Sequence, residues 1–132
     1  MFGTLALVSF AIPIQIHSDL SKANEIKISP LDVLDFNQSV EAIKGAVVYL
    51  AENMGLDKSQ LLTTIQCESS FDNTKIGDHG LAVGIAQFHK ETFDRNCKGD
   101  YHSSKDQLIC MGQMWKKGMM RHWTCWRIYF SN

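Results

Sequence analysis

Residues 57–88, DKSQLLTTIQCESSFDNTKIGDHGLAVGIAQF, decide the reading, because a helical pattern there runs into a carboxylate and then into a glycine-rich segment. Asp57 followed by Gln60 is a capping-box pattern, and Leu61, Leu62 and Ile65 mark an apolar helix face. Glu68 lies three residues beyond Ile65 and seven beyond Leu61, so a face that enters a core carries the carboxylate with it. Burial favours the protonated form of such a group, and a glutamate kept neutral near neutral pH serves as a general acid. Most helical glutamates are solvated surface charges, so a bland reading of the same spacing stands beside the catalytic one.

After Phe71 the pattern changes. Asp72-Asn73-Thr74 and Gly77-Asp78-His79-Gly80 are turn-forming clusters, and the apolar run Leu81–Phe88 around Gly84 predicts short strands or a tight hairpin. Glycine lets backbone approach a ligand closely, although a plain turn needs it too. Glu68-Ser69-Ser70-Phe71, Gly80 and Gly84-Ile85-Ala86-Gln87-Phe88, in that order and at that separation, resemble the lysozyme-like superfamily. Within it they are most similar to the soluble lytic transglycosylase and goose-type lysozyme branch. The resemblance covers Asp57 to Phe93.

That resemblance implies a mainly helical α+β fold with a small β-hairpin beside a central helix. It also implies cleavage of the β-1,4 bond between N-acetylmuramic acid and N-acetylglucosamine in peptidoglycan. Glu68 is then the catalytic acid and base, Ser69 supports it, and Gln87 lines the sugar cleft. In the transglycosylase course one carboxylate suffices, since Glu68 protonates the glycosidic oxygen and then draws the proton from the muramic 6-hydroxyl to leave a 1,6-anhydro end. A lysozyme-type hydrolase commonly needs a second carboxylate to position water, for which Asp78 and then Asp72 are the candidates. The chain departs from the family in two places: no Ala-Tyr-Asn triplet occurs, leaving Tyr101 and Tyr129 to approach Glu68 or substrate, and Ala86 stands where methionine is common. A glycan-binding cell-wall module without turnover is the reading from another class, against which an intact Glu68 on an apolar stripe argues.

The rest of the chain sets the frame. At 132 residues and 45% hydrophobic content it suits one domain, and with 13 basic against 14 acidic residues nothing marks nucleic acid as a partner. Residues 1–23 form a candidate signal peptide or N-terminal apolar segment, with a Leu5–Ile16 run too short to cross a bilayer as a helix and small residues for cleavage within 18–23. No lysine or arginine precedes Lys22, so the basic start of an export signal is missing, and a packed strand or helix is the alternative. Residues 24–37 read as a polar linker halted by Ser29-Pro30, and residues 38–132 as the catalytic domain. Val40, Ile43, Ala46, Val47, Leu50, Ala51 and Met54 predict an amphipathic scaffold helix ended by Gly55. A short helix anchored by Phe93 and a longer one from Ser103 or Ser104 toward Met119 follow, and the aromatic tail 121–130 serves either core or sugar stacking.

Cysteines 67, 97, 110 and 125 contain no C-x-x-C pair, so two disulfides in a secreted or cell-envelope protein are expected. Three pairings exist; Cys97–Cys110 would clip the loop between two helices, and Cys67–Cys125 would tie the tail beside Glu68. A thiol nucleophile at Cys67 lacks an identifiable base. Histidines 79, 89, 102 and 122 show no metal-ligand spacing, and neither metal nor cofactor is expected, although His79 sits in the turn between Glu68 and Gln87. A monomer acting on glycan strands, without stable membrane insertion, completes the expectation.

Overall fold

Asp57 begins its helix as its position predicts. The carboxylate accepts a hydrogen bond from the Gln60 backbone N–H at 2.9 Å, and helix α3 then runs Lys58–Ser69. Its N-terminal neighbour α2, Val40–Met54, is capped by Ser39 and stopped by Gly55 at φ 67°, a left-handed conformation that costs glycine nothing. Ile43, Ala46, Val47, Leu50 and Ala51 of α2 are buried in one core with Leu61 and Ile65 of α3, while Val40 stays exposed. Each full-sized aliphatic side chain buried there contributes about 1.5–3 kcal/mol.

The computed structural model describes residues 3–11 and 26–132. Residues 3–11 form no helix or strand, and Leu5, Leu7, Val8 and Phe10 are exposed. The proposed cleavage region within 18–23 lies outside the described residues.

One segment needs correction. Residues 30–34 are not linker: α1, Pro30–Val33, is a helical turn whose Ser29 and Asp32 form a reciprocal capping box, with Pro30 in the first turn. Proline there starts the helix rather than stopping one, because its missing N–H has no helical partner to lose. Leu31 and Leu34 then enter the core, and Lys105 pairs with Asp32 to hold the turn against the helix α5, Ser104–Lys116.

Three two-residue strands follow α3: β1 Ile76–Gly77, β2 Ala82–Val83 and β3 Phe88–His89. They form an antiparallel sheet in the order β1-β2-β3, one strand more than a simple hairpin. Gly77, Ala82 and His89 are cross-strand partners and make one row across it. Helix α4, Lys90–Asn96, buries Phe93, and α5, Ser104–Lys116, buries Leu108, Met111, Met114 and Trp115. The short α6, Thr124–Phe130, returns to pack on α3. The fold is therefore mainly helical α+β with a small antiparallel sheet.

Both expected disulfides are present, Cys67–Cys125 joining α3 to α6 and Cys97–Cys110 joining the end of α4 to α5. No helix among the described residues is long and apolar enough to cross a membrane.

Candidate active site

The end of α3 fixes the first wall of a cleft. Ser70 and Phe71 both adopt positive φ, at 54° and 58°, which turns the chain sharply off the helix and puts Phe71 back into the core. Ser69 is buried, and its hydroxyl donates to the Ile85 carbonyl at 2.7 Å and to the Ile65 carbonyl at 3.3 Å. It therefore clamps the helix end to the sheet loop. Ser69 does not line the cleft, and its hydroxyl is committed to two backbone carbonyls beside Glu68.

Glu68 is half-buried in the cleft wall, on the stripe that its spacing from Leu61 and Ile65 predicts. Desolvation raises its pKa above the ordinary glutamate range, with the Cys125 N–H and the Arg127 charge pulling the other way. The Cys125 backbone N–H donates to Glu68 Oε1 at 3.0 Å. Burial dominates that balance because one hydrogen bond and an exposed guanidinium replace only part of the lost water. A backbone amide thus stands where a tyrosine was expected. Tyr101 is instead buried, its hydroxyl donating to the Phe88 carbonyl at 2.8 Å, and Tyr129 is exposed on α6 against Phe130. An aromatic ring next to Phe93 gains more from the core than from water, which withdraws Tyr101 from the site.

The opposite wall is the sheet. Lys75, Gly77, Asp78, Ala82, Gln87 and His89 line a cleft of about 590 Å³ shared with Glu68 and with His122, Trp123 and Thr124 before and at the start of α6. Gln87 adopts φ 50°, and its amide nitrogen donates to the carbonyls of Gly84 at 2.8 Å and Lys75 at 3.0 Å. Two carbonyl partners dictate the orientation of the amide. The Gln87 carboxamide oxygen lies against Gly77, so a side chain at 77 would have to push that amide from its place. Asp78 belongs to the cleft, whereas Asp72 does not: its carboxylate accepts from the hydroxyl and N–H of Thr74, bonds that hold its pKa below the ordinary range and close a local turn. His79 is exposed in the adjoining turn and does not line the cleft.

Two supporting residues escaped the sequence reading. Gln107 of α5 is buried, donating to the carbonyls of Tyr101 at 2.7 Å and Val83 at 3.1 Å and accepting from the Ala86 N–H at 3.1 Å. It pegs the loop that carries Gln87 to the helical body. Its place on the buried stripe with Cys110, Met111 and Met114 was the available signal. His89 is the second: its Nε2 lies 2.8 Å from Asp78 Oδ2, a pairing over a turn and two strands that no local pattern announces. Trp123 is mostly core, with its indole N–H donating to the Ala86 carbonyl at 2.8 Å and only an edge at the cleft.

Among the described residues no group of three or more histidine, cysteine, aspartate or glutamate side chains is gathered to hold a metal ion. No protein-family model, curated protein or solved structure matches the chain.

Proposed function

We propose that the protein cleaves the β-1,4 bond between N-acetylmuramic acid and N-acetylglucosamine in peptidoglycan, with Glu68 as general acid. The observation that carries the reading is the half-buried Glu68 carboxyl, its pKa raised by burial, facing a glycine- and glutamine-lined sheet across an open cleft. A carboxylic acid so placed holds its proton nearer neutral pH and delivers it to the glycosidic oxygen as positive charge builds at the anomeric carbon. The resemblance of Glu68-Ser69 and Gly84 to Gln87 to the transglycosylase and goose-type lysozyme branch supplies the substrate class. Gln87, with its nitrogen committed to backbone, offers its oxygen to a sugar N-acetyl N–H.

The two courses open to such an enzyme share the first step. In the lytic transglycosylase course the muramic 6-hydroxyl captures the anomeric carbon and the ionised Glu68 takes its proton, with no second carboxylate required. The hydrolytic course is favoured by one observation: Asp78, unlike Asp72, lines the same cleft as Glu68. The two disulfides suit an oxidising compartment such as the cell exterior or envelope, where the protein acts as a monomer on glycan strands. Wild type and Glu68→Gln incubated with peptidoglycan, with the products read by mass spectrometry, test the reading. New glycan ends from wild type and none above background from Glu68→Gln are expected; equal cleavage by both proteins excludes the mechanism, and binding without cleavage identifies a docking module.

A further inference from the structure

Asp78 and His89 reach each other from non-adjacent strands. Asp78 follows β1, His89 ends β3, and β2 lies between them. Gly77, Ala82 and His89 form one cross-strand row, and the first two present at most a methyl group, which leaves the surface between them low enough for the imidazole to cross it. The resulting Nε2–Oδ2 contact is 2.8 Å. Asp78 itself sits at φ 49°, in the left-handed region. A half-exposed contact of this kind contributes little to stability, so what it offers is the placement of the carboxylate. Asp78 Oδ1 has no partner among the described residues, and both side chains line the cleft that Glu68 enters from the helical wall.

We infer that His89 is a positioning residue that fixes Asp78 for the activation of water, which makes water the acceptor of the cleaved glycosyl group. The inference rests on the glycosidase reading above. In the step it describes, the anomeric carbon–oxygen bond breaks with its electron pair going to the leaving oxygen, which takes the Glu68 proton. The water oxygen forms the new bond to the anomeric carbon, and the water proton passes to Asp78 Oδ1. Exchange with solvent then returns the proton from Asp78 and restores the one on Glu68. His89 Nε2, 2.8 Å from Asp78 Oδ2, restrains that oxygen and leaves Oδ1 for water. Without that hold the 6-hydroxyl of the same sugar competes successfully with water, since intramolecular capture needs Glu68 alone.

The test is the partition of products, which a merely structural role would not move. Wild type, Asp78→Asn, His89→Phe and His89→Gln are incubated with peptidoglycan in ¹⁸O-water, and reducing ends carrying ¹⁸O are counted against 1,6-anhydro ends by mass spectrometry. Thermal unfolding confirms that each variant is folded. Wild type is expected to give mainly labelled reducing ends. His89→Phe and Asp78→Asn should lower the reducing-to-anhydro ratio by about 100-fold or more, in line with loss of a general base. His89→Gln, whose amide N–H reaches a similar point, should keep the ratio within about twofold of wild type. Wild type that yields only anhydro ends, or a folded His89→Phe with an unchanged ratio, overturns the inference and leaves the glycosidase reading intact. Absence of cleavage by wild type removes that reading and the inference together.

Discussion

Breaking the Cys67–Cys125 disulfide as the double variant Cys67→Ser/Cys125→Ser should cost activity out of proportion to stability. The bond closes a loop with a sequence separation of 58, for which chain entropy assigns about 4 kcal/mol. Cys97–Cys110, with a separation of 13, is the internal control at about 3 kcal/mol. On stability alone the two double variants therefore differ by only about 1 kcal/mol. Their neighbours differ far more: Cys67 precedes Glu68, and the N–H of Cys125 is the group that holds Glu68 Oε1 at 3.0 Å. Loosening α6 from α3 weakens a hydrogen bond to a carboxylate of the kind worth about 1.5–3 kcal/mol, equivalent to a roughly 10- to 150-fold loss if it is needed to orient the acid. Urea denaturation gives the stability of each variant, and kcat/KM on soluble peptidoglycan fragments is read at a temperature where both remain folded. Carboxyl ¹³C titration of Glu68 supplies a readout that needs no substrate: it should change in the Cys67/Cys125 variant and stay at wild type in the other. Equal activity of the two folded variants, together with an unaltered Glu68 titration, would refute the coupling of disulfide to acid.

Three further outcomes follow from the same contacts. Glu68→Gln should be more stable than wild type at neutral pH, because a carboxyl whose folded-state pKa is raised binds more protons in the native than in the unfolded chain; wild-type stability then falls as pH rises from the ordinary value of 4.5 through the raised one, and the gap between the proteins should close below 4.5 in pH-dependent urea titrations. Gln107→Leu strips the buried Ala86 N–H and Tyr101 carbonyl, and the part-buried Val83 carbonyl, of their partner, and at about 1–3 kcal/mol for each buried group it should cost at least about 2 kcal/mol in chemical denaturation; a loss under 1 kcal/mol would show that Gln107 does not hold the loop. Gly84→Ala should destabilise the fold by about 2 kcal/mol or more and lower affinity for glycan fragments in calorimetry, since the new Cβ would lie 2.5 Å from Gln107 Nε2 at a φ of 82° and disturb the carbonyl that Gln87 uses.

What could be read in advance depended on how local the cause was. Asp57, Leu61, Ile65 and Glu68 belong to one helix, so a single period predicted the cap, the buried stripe and the half-buried carboxyl together. Of the three pairings open to four cysteines, the one that clips α4 to α5 and ties the tail beside Glu68 is present. Local signals failed when two principles competed at one residue. Pro30 reads as a breaker, yet Ser29 and Asp32 around it make it a helix start, and the leucines beside it settle the matter by burial. Tyr101 offered a polar handle for a site, and packing among Phe88 and Phe93 claimed its ring. Contacts that depend on strand order, such as His89 with Asp78, left no periodic trace at all.

Acid catalysis by Glu68 requires its carboxyl to keep its proton above the ordinary range, and ¹³C NMR titration of that carboxyl in the intact protein measures this directly. A midpoint clearly above 4.5, absent from the spectrum of Glu68→Gln and matched by the alkaline limb of peptidoglycan cleavage, is predicted. A midpoint at or below 4.5 would mean that the carboxyl is fully solvated or held as an anion, and would contradict its role as the acid.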